Sequence, residues 1–346
     1  MSNEQRRFGI GIVGTGMGAK PHALALNALR DTVEVRGVWR RNSEALARFC
    51  AEYDFPAAPD FDSLLADPGI DAILIITPPN ARHDLVAAAA RAGKHVLMEK
   101  PVERTTEAAR AIVQLCDQAG VKLGIIFQHR FRAASKALAA HVASGALGAL
   151  QAVHLVVPWW RPQKGYYDQP GRGTVAQDGG GVLITQAIHS LDLMLSLTGP
   201  VKAVTALCAT TGLHQMETED FVAGGMEFAN GAVGGMMATT ANFPGGAESL
   251  TLNFAEAGAT LTGGNLTLNW MDGRTETVGE ASNSGGGADP MAFPFDWHQA
   301  QIEDFIAAVR EDRPPLSNGH TAMHVHRLIE ALVRSGREGQ RVLVEA

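Results

Sequence analysis

The sequence predicts an α/β fold in two parts: an N-terminal doubly wound parallel sheet, then an α+β domain with a large, open, mostly antiparallel sheet. Three observations carry this. Short β-rich runs alternate with helical patterns over the first ~125 residues, which is the spacing of βαβ units. After Phe127 the alternation stops and strands follow strands. A glycine cluster, Gly14 to Gly18, stands where the first strand of such a sheet turns into its first helix.

Phe8 to Val13 is a continuous β-rich run, as in a strand covered on both faces. Val33 to Trp39, Ala72 to Ile76, His95 to Met98 and Lys122 to Ile126 follow as strands. Ser43 to Glu52, Arg82 to Ala92 and Thr106 to Ala119 read as helices, the last two closed by Gly93 and Gly120 because a left-handed C′ position favours glycine. Beyond Phe127 a helical stretch runs to Ser144, an apolar strand spans Leu150 to Val157, and Pro158 to Gly180 is a long irregular loop. A helix follows from Val182 to Leu197. Val201 to Trp270 is strand-rich, with Asn230-Gly231 as a type I′ hairpin signal. Gly273 to Asp289 is a Gly/Ser-rich connection, and Asp296 to Arg310 and Ala322 to Ser335 are amphipathic closing helices. The predicted domains are residues 1–128 and 129–346.

Composition narrows the function. The chain has 346 residues, 46% of them hydrophobic and 19% charged, which excludes disorder and allows about two domains. No apolar run approaches the ~20 residues of a membrane helix. With 29 basic against 36 acidic side chains the net charge is -7, the wrong sign for a phosphate backbone or an anionic membrane. The expected partner is a small-molecule substrate, with no nucleic acid and no membrane. Cys50, Cys116 and Cys208 show no CxxC spacing and imply neither a disulfide framework nor a zinc knuckle. His320 and His324 stand at i,i+4 without a carboxylate or cysteine pattern, so no metal is expected. Met1 to Arg7 is polar and lacks the apolar core of a secretion signal, which predicts a cytoplasmic protein.

Gly14-Thr15-Gly16-Met17-Gly18-Ala19 matches GxGxxA. Gly14 permits the tight turn, Gly16 lets the backbone approach a pyrophosphate, and Ala19 allows close packing of helix on sheet. The helix N-terminus then presents N–H groups to phosphate. Arg40, Arg41 and Ser43 follow the second strand, where an acidic residue would select the 2′-hydroxyl of NAD; two guanidiniums suit a 2′-phosphate, so NADP is favoured over NAD. Thr77, Pro78 and Asn80 follow the third strand, beside the cofactor crevice, although Asn80 also suits a helix N-cap.

Glu99-Lys100-Pro101 ends the next strand, and Asp178-Gly179-Gly180-Gly181 leads into a helix carrying His189 and Asp192. In this order and on these elements the motifs resemble the Gfo/Idh/MocA family of NAD(P)-dependent oxidoreductases, over nearly the whole chain. The resemblance implies a Rossmann domain in which Met17 and Glu99 join the cofactor site. It implies that Lys100 contacts the nicotinamide ribose and the reacting hydroxyl, that Pro101 follows a cis peptide, and that His189 faces substrate as general base. Many relatives carry an aspartate one helical turn before that histidine; this chain has Thr185, which can bind substrate but holds no charge near His189. Asp192 reads as structural or functional with equal weight.

The loop holds Trp159, Trp160, Arg161, Lys164, Tyr166, Tyr167 and Arg172, an aromatic and basic mixture suited to a sugar ring or an anionic group. Tyr167, Arg172, Gln186 and Arg161 are the further substrate candidates. The function expected is hydride transfer between nicotinamide and a secondary alcohol or ketone of a sugar, cyclic polyol or sugar-acid-like substrate. The alternatives are a dihydrodiol dehydrogenase acting on a carboxylated aromatic diol and a non-catalytic dinucleotide-sensing regulator. The resemblance also implies a homodimer or homotetramer through the antiparallel sheet.

Overall fold

The computed structural model describes residues 6–280 and 293–345. In chain order it begins β1 (Phe8–Val13), α1 (Ala19–Ala28), β2 (Val33–Trp39), α2 (Ser43–Tyr53), α3 (Phe61–Ala66), β3 (Ala72–Ile75), α4 (His83–Arg91), β4 (His95–Met98), α5 (Thr106–Ala119) and β5 (Leu123–Ile125). The five strands form one parallel sheet in the order β2-β1-β3-β4-β5. All six residues of β1 are buried, as a strand flanked by β2 and β3 and covered on both faces requires. The chain order reverses at β1, so the crevice beyond the carboxyl ends of β1 and β3 is the switch point at which such sheets take ligands. Side chains start α2 and α3: Asn42 accepts from Ala45 N at 2.8 Å and Asp60 from Ser63 N at 2.7 Å. Helix α3 escaped the sequence reading because it is only six residues long.

The chain continues with α6 (Ala133–Ser144), β6 (Leu150–Pro158), α7 (Val175–Asp178), α8 (Ile188–Thr198), β7 (Val201–Ala209), β8 (Phe221–Phe228), β9 (Val233–Thr239), β10 (Ser249–Phe254), β11 (Ala257–Thr262), β12 (Asn265–Trp270) and β13 (Thr275–Val278). It closes with α9 (Asp296–Arg310), α10 (Gly319–Glu338) and β14 (Val342–Leu343). Nine strands form the second sheet, in the order β13-β12-β11-β10-β6-β9-β8-β7-β14. Only the β6–β9 pair is parallel. Burial alternates along β10 and β11, so this sheet buries one face, unlike β1.

The structure corrects four expectations. The span Pro158 to Gly180 is not uniformly irregular: it contains a wide, kinked turn at Gln163–Tyr167 and the short α7. Asn230-Gly231 is not a type I′ turn, because only Gly231 has positive φ (91°) and Asn230 does not. Asn230 instead receives Ala232 N at its Oδ1 and donates to Thr198 O. The Gly/Ser-rich connection yields β13 at its start, and its remainder, residues 281–289, lies outside the described residues.

The domain division differs most. Two compact units form, and the first gathers the chain up to Glu103, Glu107–Ile126 and also Phe295–His320. A division into 1–128 and 129–346 therefore misplaces α9. Ile302, Phe305 and Ile306 are buried in the same core as β1 and α1. A Cβ on Gly124 would stand 2.7 Å from the Phe305 ring, so the glycine in β5 is what lets α9 lie this close. Ser317 completes the attachment: Ile125 N donates to its carbonyl at 2.9 Å, and Gln301 Nε2 and Ser317 Oγ both donate to Ile125 O. The stretch Val175–Thr198 is long and apolar enough to cross a membrane, but 83% of its most apolar window is buried inside the protein.

Candidate functional site

In the first unit the glycine turn is built for close approach. Gly14 has φ 96°, and a Cβ there would stand 2.9 Å from the Ile76 carbonyl carbon, so neither the conformation nor the space admits a side chain. A Cβ on Gly16 would meet nothing within 4 Å; its backbone faces open space. Ala19, the third position of the motif, is buried at the start of α1. No side chain caps α1 and no acidic residue occupies its first turn, which leaves the positive end of the helix for an anion. These features fit the pyrophosphate of a dinucleotide. Met17 is 46% exposed beside the turn.

Arg40 folds back over this turn, donating to Thr15 Oγ1 at 2.8 Å, while Arg41 is exposed. Thr77 is half-buried, and Pro78 and Asn80 are exposed. Asn80 does not cap α4: it sits in a 3₁₀ turn, and the cap position falls on Arg82.

Lys100 follows β4, half-buried, and precedes a cis peptide to Pro101. The backbone around it is held from two sides. Glu99 Oε2 accepts from Lys100 N at 3.1 Å, and Glu99 Oε1 pairs with His22 Nε2 at 2.8 Å. Burial alone would raise the Glu99 carboxyl, but the His22 hydrogen bond and the nearby His22, His298 and Lys100 charges outweigh it and hold the group at about 2. His298 lies edge-on to His22 with ring centroids 4.8 Å apart, and burial, aided by His22, pulls it down to about 3. Among the described residues, His22, Glu99 and His298 are one grouping whose donor atoms, within 4.8 Å of one another, could hold a cation.

Arg82 grips from the other side. Its side chain is buried, and its guanidinium donates to the carbonyls of Thr77, Glu99 and Pro101, with Lys100 O at 3.5 Å. Burial lowers it to about 10 against the pull of Glu99 and Glu103, so it stays charged at neutral pH.

In the second unit, the triple glycine seats the helix that carries the other candidates. Gly179 has φ 82° and lies against Arg104, and a Cβ on Gly181 would stand 1.8 Å from Glu219 O. Glu219 spans this start: its carbonyl accepts from Val182 N at 2.8 Å and its carboxylate from Gly181 N and Leu183 N. Burial pushes the Glu219 carboxyl up, against the pull of its backbone donors. The chain then makes one π-helical turn, Leu183–Ala187, before α8, a feature frequent at functional sites. Thr185 sits in that turn and donates to Gly181 O at 2.7 Å. Gln186 donates to the Tyr166 hydroxyl at 2.6 Å. His189 is buried, its ring 5.1 Å from that of His129. Asp192 is gripped by Arg130 through two contacts, 2.5 and 2.6 Å, which explains it as a structural anchor for α8.

The aromatic and basic residues pack on one another. Arg161 is fully buried near the Trp159 and Tyr166 rings and donates to Trp160 O. Tyr167 is buried with its hydroxyl on Thr240 Oγ1 at 2.8 Å, and burial pushes its phenol up. Arg172 lies over the Tyr166 ring and 3.7 Å from Asp178, partly open to solvent. Sequence reasoning missed Arg82, His22, His298, Glu219 and Arg130. The only signal for Arg82 was a cation at the head of an apolar helix, and the other four lie far in sequence from their partners.

Two family models match in succession: the "Oxidoreductase family, NAD-binding Rossmann fold" over residues 8–127 and the "GFO/IDH/MocA C-terminal domain" over residues 135–260. The chain is 27% identical to a 1,5-anhydro-D-fructose reductase of Ensifer adhaerens, over 92% of its own length and 94% of the relative's. It is 28% identical to a UDP-N-acetylglucosamine 3-dehydrogenase of Acidithiobacillus ferrooxidans, over 89% and 91%. Among solved structures it resembles the WlbA dehydrogenase of Bordetella pertussis in complex with NADH and UDP-GlcNAcA, at TM-score 0.82 and 27% identity, covering 99% and 100% of the two chains. A levoglucosan dehydrogenase in complex with NADH and levoglucosan shares the fold at TM-score 0.86 and 23% identity, covering 98% and 100%.

Proposed function

This chain belongs to the Gfo/Idh/MocA family of oxidoreductases, and from that premise we propose that it transfers hydride between a nicotinamide dinucleotide and a secondary alcohol or ketone carbon of a sugar or polyol. The observation that carries the reading is the pairing, in one unit, of the open Gly14–Gly16 turn with a lysine whose backbone is fixed beyond β4. Relatives that act on anhydrosugars and nucleotide sugars support the substrate class.

The dinucleotide, when bound, supplies the hydride acceptor or donor. Gly14, Gly16 and the first N–H groups of α1 hold its pyrophosphate. Lys100 hydrogen-bonds the reacting hydroxyl and steadies its oxygen as the proton leaves; the family resemblance assigns the general-base role to His189. Arg40, already turned over the glycine loop, favours a 2′-phosphate and hence NADP. The protein works in the cytoplasm as a homodimer or homotetramer.

The test is a panel of anhydrosugars, aldoses, inositols and nucleotide sugars, followed by absorbance of the reduced nicotinamide with each dinucleotide. Lys100→Met should lower turnover about 10²-fold or more while dinucleotide affinity changes little. Equal losses in both would reduce the lysine to a binding group. Dinucleotide binding with no turnover across the panel would instead favour a sensor.

A further inference from the structure

Arg82 has no part in the reaction as described so far, yet its surroundings are specific. Both Nε and Nη2 donate to Thr77 O, at 3.0 and 2.7 Å. Nη1 donates to Glu99 O and Pro101 O, and Nη2 approaches Lys100 O at 3.5 Å. Thr77 follows β3 and Glu99 follows β4, neighbouring strands of one sheet. One planar group therefore ties together the two loops at the mouth of the crevice, and it takes carbonyls on both sides of Lys100.

Burying a cation costs several kcal/mol. An apolar side chain would fill the same space at the head of α4 without that cost. What an apolar group cannot supply is a rigid fork of N–H donors reaching several acceptors at once. On the other flank Glu99, itself fixed by His22, accepts the Lys100 N–H. The Lys100 backbone is thereby held at its own N–H and at the carbonyls around it, leaving orientation to the side-chain torsions.

We propose that Arg82 is a positioning residue for the oxidoreductase reaction, fixing the Glu99–Lys100–Pro101 backbone against the Thr77 loop and so setting where the Lys100 ammonium stands. This rests on the role given to Lys100 above. A lysine displaced by about 1 Å is enough to slow a reaction of this type about 10²-fold. The pyrophosphate would be held at the glycine turn, away from the fork, so most of the dinucleotide affinity should survive its loss.

The experiment compares Arg82→Ala and Arg82→Lys with the parent in the full chain. Both variants should bind reduced dinucleotide, read by its fluorescence, with affinity near the parent's, while kcat falls about 10²-fold. Added guanidinium chloride, well below denaturing concentration, should restore part of the kcat of Arg82→Ala, and sodium chloride at equal ionic strength should not. If Arg82→Ala fails to fold, Arg82→Lys decides, since it keeps the buried charge but loses the fork: parental kcat would overturn the proposal. Loss of dinucleotide affinity in step with kcat would also overturn it, by making Arg82 a general support of the crevice. A readout independent of turnover is the pH profile of Lys100 labelling by an amine-directed reagent, mapped by peptide mass. The proposal expects a displaced midpoint in Arg82→Lys, and an unchanged profile would overturn it. If the parent turns over no substrate, the functional reading fails, and the labelling profile still judges Arg82.

Discussion

Burial of the Glu99 carboxylate and the His298 imidazole in one cluster moves both far from their values in water, and stability should record this. His298 is held at about 3 in the folded protein, against about 6.5 in an unfolded chain. Between those values the unfolded chain binds the extra proton, so stability falls as pH drops from 6.5 towards 3, by on the order of 3 kcal/mol at pH 4. Glu99 adds a loss at lower pH: its carboxyl, held at about 2, stabilises the fold above the ordinary carboxylate range and stops doing so as pH falls through 2. Urea unfolding midpoints followed from pH 7 to pH 4 should show the His298 slope in the parent and a flatter one in His298→Gln. Arg40 offers a second test at this scale. Arg40→Asp removes the guanidinium from Thr15 and puts a carboxylate where a 2′-phosphate would lie; the ratio of kcat/KM for NADP over NAD should fall at least ~10-fold. An unchanged ratio would detach Arg40 from cofactor choice. The glycine turn was legible in the sequence because its reason is local: φ 96° at Gly14 and open space at Gly16 belong to neighbouring residues. The His22–Glu99–His298 cluster was not, because its members come from α1, the end of β4 and α9, and no spacing rule connects them.

The triple glycine and α8 behave as a single joint. The residue types predicted a turn into a helix, but not that the turn is flush against Glu219, which supplies one carbonyl and one carboxylate to the helix start. Gly181→Ala forces a methyl onto Glu219 O and should destabilise the protein by about 3 kcal/mol. Glu219→Ala leaves two N–H groups without their acceptor and should cost about 1–3 kcal/mol. Both are measured by urea unfolding, and both should lower kcat by disturbing the π-helical turn beneath His189. Arg130→Ala would test the body of that helix, where Asp192 would remain buried without its guanidinium. The hairpin at Asn230-Gly231 shows how far a dipeptide signal goes. It located the turn, but the Asn230 side chain, bonded to Thr198 and Ala232, decided the type.

The class of each sheet was readable over the whole molecule because burial on two faces and burial on one leave different patterns, continuous in β1 and alternating in β10. The allegiance of α9 was not, since an amphipathic stripe shows that a helix packs but not on which strands. A fragment of residues 1–128 lacks Phe305 over Gly124 and the Ser317 pairing with Ile125, so it should show the poor chemical-shift dispersion of a loosely packed chain. Joining residues 295–320 to it through a short linker should restore dispersion in the amide spectrum. Phe305 returning to β5 from so far along the chain also sets an order of events during synthesis. Residues 6–126 are translated well before Phe295–His320, so the first unit cannot settle until that later stretch has emerged. While the intervening residues are being made, the nascent chain would expose an unfinished sheet to chaperones, a vulnerability invisible in the folded molecule.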